Sequence, residues 1–299
     1  AGRVQSVALK LITEREHQIE LFNPEEFWTI KINFKDNNSI VSANISQLDG
    51  KKIEKFSFKN KEEVNKAIDQ IKKKKFNISD ISTKVVNRNP SGPFTTSTLQ
   101  QVSSGRLGFG ASRTMQIAQR LYQGIDIEGE TTGLITYMRT DGTQLSKEAI
   151  AEFRSQINKN YGKEYLPENA NSYVGKKAKN AQEAHEAIRP TDITRKPNDI
   201  KKYVNSDQFK LYDLIWSRAL SSQMNPAEFY RNSIVIASED EKINFRANGS
   251  IVKFDGFLKV YEVPETDDDA KNILPECKIG DDVNILKLND EQHYTDPPP

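Results

Sequence analysis

The sequence of 299 residues is poor in cysteine and in long apolar runs. Its single cysteine, Cys277, excludes an internal disulfide and a cysteine-rich zinc site, and it indicates a reducing cytoplasm. No segment approaches the roughly 18 consecutive apolar residues that a membrane helix needs, so we expect no integral membrane protein. The three histidines, His17, His185 and His293, are too scattered along the chain to indicate a metal triad.

Acidic residues are absent from residues 81–125, although the chain as a whole is nearly neutral, with a net charge of +1. This stretch does carry basic residues, namely Lys84, Arg88, Arg106, Arg113 and Arg120. Lys and Arg replace the counterions of a polyanion, and hydroxyls and amides reach phosphates, so the stretch favours nucleic-acid binding. A solvated surface with its counter-charges elsewhere in the fold is the alternative. Residues 262–299, with a net charge of −8, are not expected to contact a polyanion.

The hydrophobic pattern predicts an α+β fold. A helix is predicted over residues 2–21, strands between residues 27 and 58, a helix over residues 61–75 and a strand over residues 76–86. Helices are predicted between residues 96 and 224, and strands again from residue 229. The length suggests about two domains. A β domain interrupted by an inserted helical domain explains this order, because the ends of an insert lie close together. Three consecutive units are the alternative.

Three finer predictions concern the helical part and the region directly after it. Helical spacing over residues 112–123 predicts that Tyr122 faces inward. Residues 181–188 are predicted to form a short helix that Pro190 halts, and residues 257–263 to form a strand.

The glycines at positions 105, 108 and 110 have a spacing similar to that of a phosphate-binding loop. No strand is predicted before them, and no Lys-Ser/Thr pair follows them. A P-loop is therefore not indicated, and we expect no nucleotide cofactor.

Tyr137 and Arg139 form the pair with the clearest chemical potential. In an extended chain they share a face, together with Ile135. An ordinary tyrosine, with a pKa near 10, is only about one part in a thousand ionised at neutral pH, and a guanidinium favours its phenolate form. The same guanidinium can hold a phosphate oxygen, so the pair suits a phosphoryl-transfer nucleophile with an electrostatic clamp. An ordinary structural contact between the two side chains is the alternative.

Four segments in order resemble one family. Residues 135–141, Ile-Thr-Tyr-Met-Arg-Thr-Asp, are similar to the active-site tyrosine motif of bacterial DNA topoisomerase I, a type IA topoisomerase. Residues 1–6 resemble the start of the family's DNA-contacting helix. Residues 93–110 are similar to the stretch that precedes the tyrosine, and residues 184–191 to the histidine motif that follows it. The resemblance spans essentially the whole chain.

The resemblance implies roles for individual residues. Tyr137 would attack a phosphodiester and hold the 5′ phosphate of the cut strand, while Arg139 would position the scissile phosphate. His185 would donate a hydrogen bond to a phosphate nearby, with Arg189 beside it if the segment is helical. The full set of implied DNA-binding residues is Gly2, Arg3, Gln5, Arg106, Arg113, Arg139, Thr140, His185 and Arg189.

The resemblance also implies a domain plan within the upper arch of a torus. Residues 1–22 would end a DNA-contacting helical arch segment, and residues 23–89 with 225–292 would form a discontinuous β-rich hinge domain. Residues 90–224 would be the inserted, mainly helical domain that carries the tyrosine. Residues 293–299 would begin the return into the missing arch domain.

The implied function is the cutting and resealing of one DNA strand through a 5′-phosphotyrosine, without ATP, to relax negative supercoils. The family's Toprim domain and C-terminal zinc ribbons are absent, so we expect an excised fragment that is inactive alone. Mg²⁺ would be held by the missing domain, with no metal ligand in this chain. We expect single-stranded and negatively supercoiled DNA as partners, a monomeric intact enzyme, and a cytoplasmic location at the bacterial nucleoid. A topoisomerase III-like decatenase and a non-catalytic single-stranded DNA-binding module are the alternatives.

Overall fold

A computed structural model describes residues 2–36, 39–173, 185–263, 274–275 and 277–299. The arrangement is α+β: strands predominate in residues 26–88 and 227–294, and helices predominate in residues 96–221. The helices are α1 (Arg3–Glu20), α2 (Lys61–Ile71), α3 (Thr96–Leu107), α4 (Ala111–Gln123), α5 (Lys147–Tyr161), α6 (Pro197–Ile200) and α7 (Ser206–Ser221). The strands are β1 (Glu26–Asp36), β2 (Ser39–Leu48), β3 (Lys51–Lys52), β4 (Phe76–Arg88), β5 (Ile125–Ile127), β6 (Glu130–Thr132), β7 (Ala227–Ser238), β8 (Asn244–Phe254) and β9 (Asp282–Tyr294).

The chain divides into two compact units. The first comprises Ala1–Lys84, Tyr230–Ile251 and Asp267–Pro299, and the second comprises Val85–Phe229 and Val252–Thr266. The chain therefore crosses between the units more than once, and each unit has its own apolar core.

The first unit is built around a seven-stranded antiparallel sheet in the order β1-β9-β4-β7-β8-β2-β3. Because β1 also pairs with β2, six of these strands close into a ring, and β3 extends β2. On β1, the alternate residues Ile30, Ile32 and Phe34 are buried, as the period-two pattern predicts. Ile32 lies opposite Ala43 on one side and Leu288 on the other, so the register places apolar side chains from three strands in one core.

Helix α2 completes the core of the first unit. It begins at the N-cap Asn60, whose side chain accepts a hydrogen bond from the Glu63 N–H. Val64, Ala67 and Ile71 lie on one stripe and are buried in the same cluster as apolar residues of the sheet strands.

Helix α1 differs from every other long helix in burying no apolar residue. It spans Arg3–Glu20, within the predicted range 2–21, and its apolar residues recur at helical spacing. Among the described residues, however, nothing covers them: Val4 is 81% exposed, Val7 is 59% exposed and Leu11 is 61% exposed.

The second unit packs α3, α4, α5 and α7 around a single apolar cluster. Leu99, Phe153, Leu211 and Ile215 are fully buried there. Tyr212 is buried too, and its hydroxyl donates to the Arg195 carbonyl at 2.8 Å. Burial raises the pKa of Tyr212 above its usual value.

Two secondary-structure predictions fail in the second unit. Residues 257–263 do not form a strand, because Gly256–Lys259 form a short 3-10 helix. Of the predicted helix over residues 181–188, the first four lie outside the described residues, and 185–188 are not helical. Ile188 instead forms a β-bridge with Phe94. The short apolar pattern of this segment fits a helix or an extended chain equally well. Pairing with Phe94, a distant residue, selected the extended chain.

Candidate active site

Tyr137 lies in an irregular segment, residues 133–141, between β6 and α5. The extended chain in which Tyr137 and Arg139 were expected to share a face forms only one β-bridge here, between Ile135 and Pro190. Met138 and Thr140 point inward and are buried, whereas Tyr137 is half-buried and Arg139 is exposed. Tyr137 and Arg139 therefore lie on the outward side of the segment, as alternation predicts. Ile135, expected on their face, is instead fully buried.

Thr136 attaches the start of this segment to residues 187–189. Its N–H donates to the Arg189 carbonyl at 2.9 Å, and its hydroxyl donates to the Ala187 carbonyl at 2.8 Å. The same hydroxyl oxygen accepts from the Arg189 N–H at 3.0 Å. One threonine thus satisfies main-chain groups of two residues that lie about 50 positions later, and it fixes the residue directly before Tyr137.

Thr96, at the start of α3, attaches the other side of the tyrosine. Its N–H donates to the Thr140 carbonyl at 2.9 Å, and its hydroxyl donates to the Met138 carbonyl at 2.8 Å. The Thr140 N–H in turn donates to the Thr96 hydroxyl at 2.8 Å. Because α3 is itself capped by the Thr95 side chain, these bonds tie the tyrosine segment to a helix end of fixed geometry.

The ring of Tyr137 lies between two other rings. The centroid of Tyr122, at the end of α4, is 5.4 Å away with the rings edge to face. The centroid of His185 is 5.0 Å away with the rings tilted by 51°. These contacts restrict the orientation of the phenol and place an exposed imidazole beside it.

Glu186 fixes the segment that carries His185. Its carboxylate accepts hydrogen bonds from the Ser146 N–H at 3.0 Å and from the Arg189 guanidinium, with two nitrogens at 2.9 Å. Partial burial by itself would raise the pKa of Glu186, but the bonds from Arg189 and Ser146 outweigh burial and lower this pKa below its usual value. The carboxylate is therefore charged at neutral pH and joins the start of α5 to the histidine segment.

This arrangement can present the Tyr137 phenol in a set orientation. The His185 imidazole lies beside it in space, and the exposed guanidinium of Arg139 lies two residues further along the chain. A model of the DNA topoisomerase family matches residues 1–299. The chain belongs to the DNA topoisomerase family. The resemblance inferred from the four motifs is thereby confirmed.

Individual relatives agree with this family. DNA topoisomerase 1 of Rickettsia bellii is 46% identical over 303 residues, which cover 100% of this chain and 38% of the relative. DNA topoisomerase 1 of Xylella fastidiosa (strain 9a5c) is 44% identical over 308 residues, again covering 100% of this chain and 38% of the relative. The structure of full-length topoisomerase I from Thermotoga maritima matches with a TM-score of 0.80 at 35% identity, covering 100% of this chain and 46% of that chain. This chain thus spans less than half the length of the topoisomerases that it matches.

The residues implied as DNA contacts by the topoisomerase resemblance have different surroundings. Arg139 and His185 are exposed near Tyr137. Thr140 is 8% exposed, and its hydroxyl donates to the His185 carbonyl at 3.4 Å and accepts from the Gly142 N–H at 3.0 Å. Arg189 is held by Glu186 rather than lying beside His185 on a helix, so the expected i,i+4 geometry is wrong. In this structure the guanidinium of Arg189 holds the Glu186 carboxylate and so helps to fix the segment that carries His185.

Arg106 and Arg113 lie at the ends of α3 and α4. The Arg106 guanidinium stacks 4.4 Å from the ring centroid of Tyr261. The Arg113 guanidinium donates to the Asp207 carboxylate at 2.6 Å, and it is nine residues, or about 13 Å of helix, from Tyr122. At Arg113 the alternative interpretation therefore holds, because an acid from another segment pairs with this basic residue of the acid-free stretch. The Arg106 guanidinium instead makes a cation–π contact with Tyr261.

The remaining implied contacts lie at the start of α1. The Gly2 N–H donates to the side-chain oxygen of Gln5 at 3.2 Å, so Gln5 caps this helix end. The side chain of Arg3 lies outside what the structure describes.

Sequence reasoning missed Tyr122 as a neighbour of Tyr137. It was predicted to face inward, but it is 40% exposed and contacts the tyrosine ring. It also missed the attachments through Thr96 and Thr136. No spacing rule links these threonines to their partners, since each bond joins segments more than 40 residues apart.

Within the described ranges, no three His, Cys, Asp or Glu side chains come together in a way that could hold a metal ion. The described side chains thus offer no all-protein cluster of three such ligands for Mg²⁺. In the same part of the chain, no helix is both long enough and apolar enough to cross a membrane.

Proposed function

We propose that this chain is the tyrosine-bearing part of a type IA DNA topoisomerase that cuts and reseals one DNA strand to relax negative supercoils. The observation that carries the proposal is Tyr137 in the family's motif, half-buried, outward-facing and held by hydrogen bonds on both sides. An oriented nucleophile lowers the entropic part of the barrier, because the reacting atom is already placed.

The proposed reaction is a transesterification. The Tyr137 Oη attacks the phosphorus of a phosphodiester, and a bond forms between the phenol oxygen and phosphorus. The bond from phosphorus to the 3′ oxygen of the neighbouring nucleotide breaks; the phenol loses its proton and the leaving 3′ oxygen gains one. Resealing is the reverse, so the energy of the phosphodiester is retained in the phosphotyrosine and no ATP is needed.

We assign Arg139 to hold the scissile phosphate, since it is exposed and two residues from the nucleophile. His185, whose ring lies beside Tyr137, would donate to a phosphate oxygen of the same strand. Gly2, Arg3, Gln5, Arg106, Arg113, Thr140 and Arg189 complete the proposed DNA-binding set. For Arg113, Thr140 and Arg189 this role requires that their present partners be exchanged for DNA.

The rest of the activity is proposed to depend on parts of a complete topoisomerase outside this chain. Mg²⁺ and the groups that move the two protons would belong there, so the chain alone is expected to leave supercoiled plasmid unchanged. Residues 23–89 with 225–292 would form the hinge of an arch and residues 90–224 the inserted domain, in a monomeric enzyme at the bacterial nucleoid.

The test is a chimera in which this chain replaces the matching 38% of the Rickettsia bellii relative. A single-stranded oligonucleotide labelled at its 3′ end is incubated with the chimera and Mg²⁺, and covalent adducts are resolved on a denaturing gel. We expect a labelled adduct with the native sequence and none with Tyr137→Phe, while the affinity for the oligonucleotide changes less than twofold.

Tyr122→Phe is the matched control, because it changes the neighbouring tyrosine while keeping its ring, and it should retain the adduct. An adduct that persists in Tyr137→Phe would refute the assignment of the nucleophile. Binding without any adduct in the native chimera would favour the non-catalytic single-stranded DNA-binding module instead.

A further inference from the structure

A groove of about 770 Å³ in the first unit lies outside the tyrosine site. It is lined by the end of α2, the turn that follows it, the start of β4, Glu239 and the start of β9. Seven consecutive residues of β9, 282–288, take part. Since successive side chains of a strand point to opposite faces, such a run borders the groove along its edge rather than with one face.

This edge of β9 is open because β4 begins too late to cover it. β9 pairs with β4 only through Val283 with Phe76 and Asp282 with Asn77. The residues before Phe76 that would pair with 284 onward belong to the turn after α2, where the Lys74 N–H donates to the Ile71 carbonyl. On its other edge β9 pairs with β1 throughout 284–288, apart from a bulge at Leu286.

The main-chain N–H and C=O groups of 284–288 that point away from β1 are called here the outer main-chain groups. No strand among the described residues therefore pairs with them. An unpaired edge presents N–H and C=O groups in the alternation that another strand requires. At about 3.4 Å per residue the open edge is about 17 Å long, enough for a partner strand of about five residues.

The groove has an apolar floor and a mainly cationic rim. Ile71, Phe76 and Val283 are buried and form its floor. Of the four lining lysines, Lys74 is paired with Asp240 at 2.7 Å. Lys72, Lys75 and Lys287 are exposed and have no ion pair with another described residue. Glu239 and Asp282 also line the groove, so these three lysines face two anions. The rim is therefore locally cationic, although residues 262–299 as a whole carry a net charge of −8.

We propose that this groove binds an extended, acidic peptide segment of a partner protein, which adds to β9 as a strand. Main-chain hydrogen bonds along 284–288 would supply affinity, and alternate acidic side chains would reach the lysine rim. A nucleic-acid strand also carries negative charge, but its backbone lacks the alternating donors and acceptors that match a strand edge. The open edge therefore favours a peptide over a polynucleotide.

The test uses the complete 299-residue chain and a fluorescent seven-residue peptide in which Glu and Val alternate. We expect saturable binding, with slower hydrogen exchange at those amides of 284–288 that point away from β1. The same peptide with alternate N-methylated amides should bind at least tenfold more weakly, because it cannot form the ladder. Replacement of Glu by Lys in the peptide should weaken binding by at least the same factor.

The double variant Lys72→Glu with Lys75→Glu should lower affinity at least tenfold. Lys66→Glu, an exposed change on α2 outside the groove, is its matched control and should leave affinity unchanged. If the double variant melts at a lower temperature than the native chain, the single change Lys287→Gln provides the comparison, with an expected loss of at least threefold.

Three results would overturn the proposal. The first is no binding of the peptide at millimolar concentration, which would leave the lysines only as guards against edge-to-edge aggregation. The second is binding that N-methylation does not weaken. The third is tighter binding of oligothymidylate that displaces the peptide and responds to the lysine changes, which would assign the groove to nucleic acid.

Discussion

The segment around Tyr137 and the open edge of β9 differ in how their main-chain groups are satisfied. Residues 134–140 are irregular, yet hydrogen bonds to distant segments engage the main chain of Leu134, Thr136, Met138 and Thr140. Residues 284–288 belong to a regular strand, yet their outer main-chain groups have no strand partner among the described residues. Regular secondary structure is therefore not what fixes the site.

Burial explains the difference. Leu134, Ile135 and Met138 are at most 1% exposed, so the peptide groups beside them cannot rely on water and must find partners in the protein. Leu286 is 53% exposed, so water can satisfy its peptide groups at little cost. We therefore expect the tyrosine segment to be sensitive to small changes and the β9 edge to tolerate them.

Of the substitutions that test this difference, Gly142→Ala should lower the free energy of unfolding the most. A Cβ at this position would lie 2.6 Å from the carbonyl oxygen of His185, a main-chain atom that must move. We expect a loss of about 2–3 kcal/mol in the free energy of unfolding, measured by urea denaturation, and a reduced adduct yield in the chimera.

Gly105→Ala is the control for this change. Gly105 lies in α3 with no heavy atom within 4 Å of an added Cβ, so alanine should stabilise the chain by about 0.5 kcal/mol. Equal effects of the two substitutions would contradict the close approach of residues 142 and 185.

Thr136→Val should have the next largest effect. Valine keeps the shape of threonine but removes the hydroxyl that serves the Ala187 carbonyl and the Arg189 N–H. We expect a loss of about 2 kcal/mol in the free energy of unfolding. Thr13→Val, which removes an exposed hydroxyl on α1, should cost less than about 0.5 kcal/mol. A similar loss for both would mean that Thr136 does not hold the segment.

A smaller, pH-dependent effect is expected at Glu186. Because its pKa is lowered in the folded state, its charged form stabilises the fold above the unfolded-state pKa, and this contribution is lost as the pH falls through the lower folded-state pKa. Glu186→Gln should therefore be about 1 kcal/mol less stable at pH 7, a figure reduced for partial exposure, and the difference should shrink below about pH 4. A difference that is constant from pH 7 to pH 3 would rule out the ionic role.

The smallest effect is expected on the open edge. Leu286→Thr replaces an exposed side chain in β9 by one that also favours strands, so the free energy of unfolding should change by less than about 0.5 kcal/mol. Val283→Thr, which places a hydroxyl at a buried position of the same strand, should cost about 1–2 kcal/mol. If Leu286→Thr is the costlier of the two, the edge is covered in solution.

The sequence alone determined the features that depend on residues close together in the chain. Alternation predicted β1 with its buried Ile30 and Ile32, helical spacing predicted α1 and α4, and the four motifs led to the topoisomerase family. Alternation also predicted that Tyr137 and Arg139 share a face, although it wrongly put Ile135 on that face. These signals are local, because a residue's neighbours at two to four positions set its face of a strand or helix.

Only the tertiary structure decided which distant residues meet. It placed His185 beside Tyr137, brought Tyr122 out of the core to the same ring, and attached the segment through Thr96 and Thr136. It also left the edge of β9 open, which the alternation of its side chains does not reveal. Hydrogen bonds and ring contacts between remote segments depend on how the chain returns on itself, and periodicity carries no record of that path.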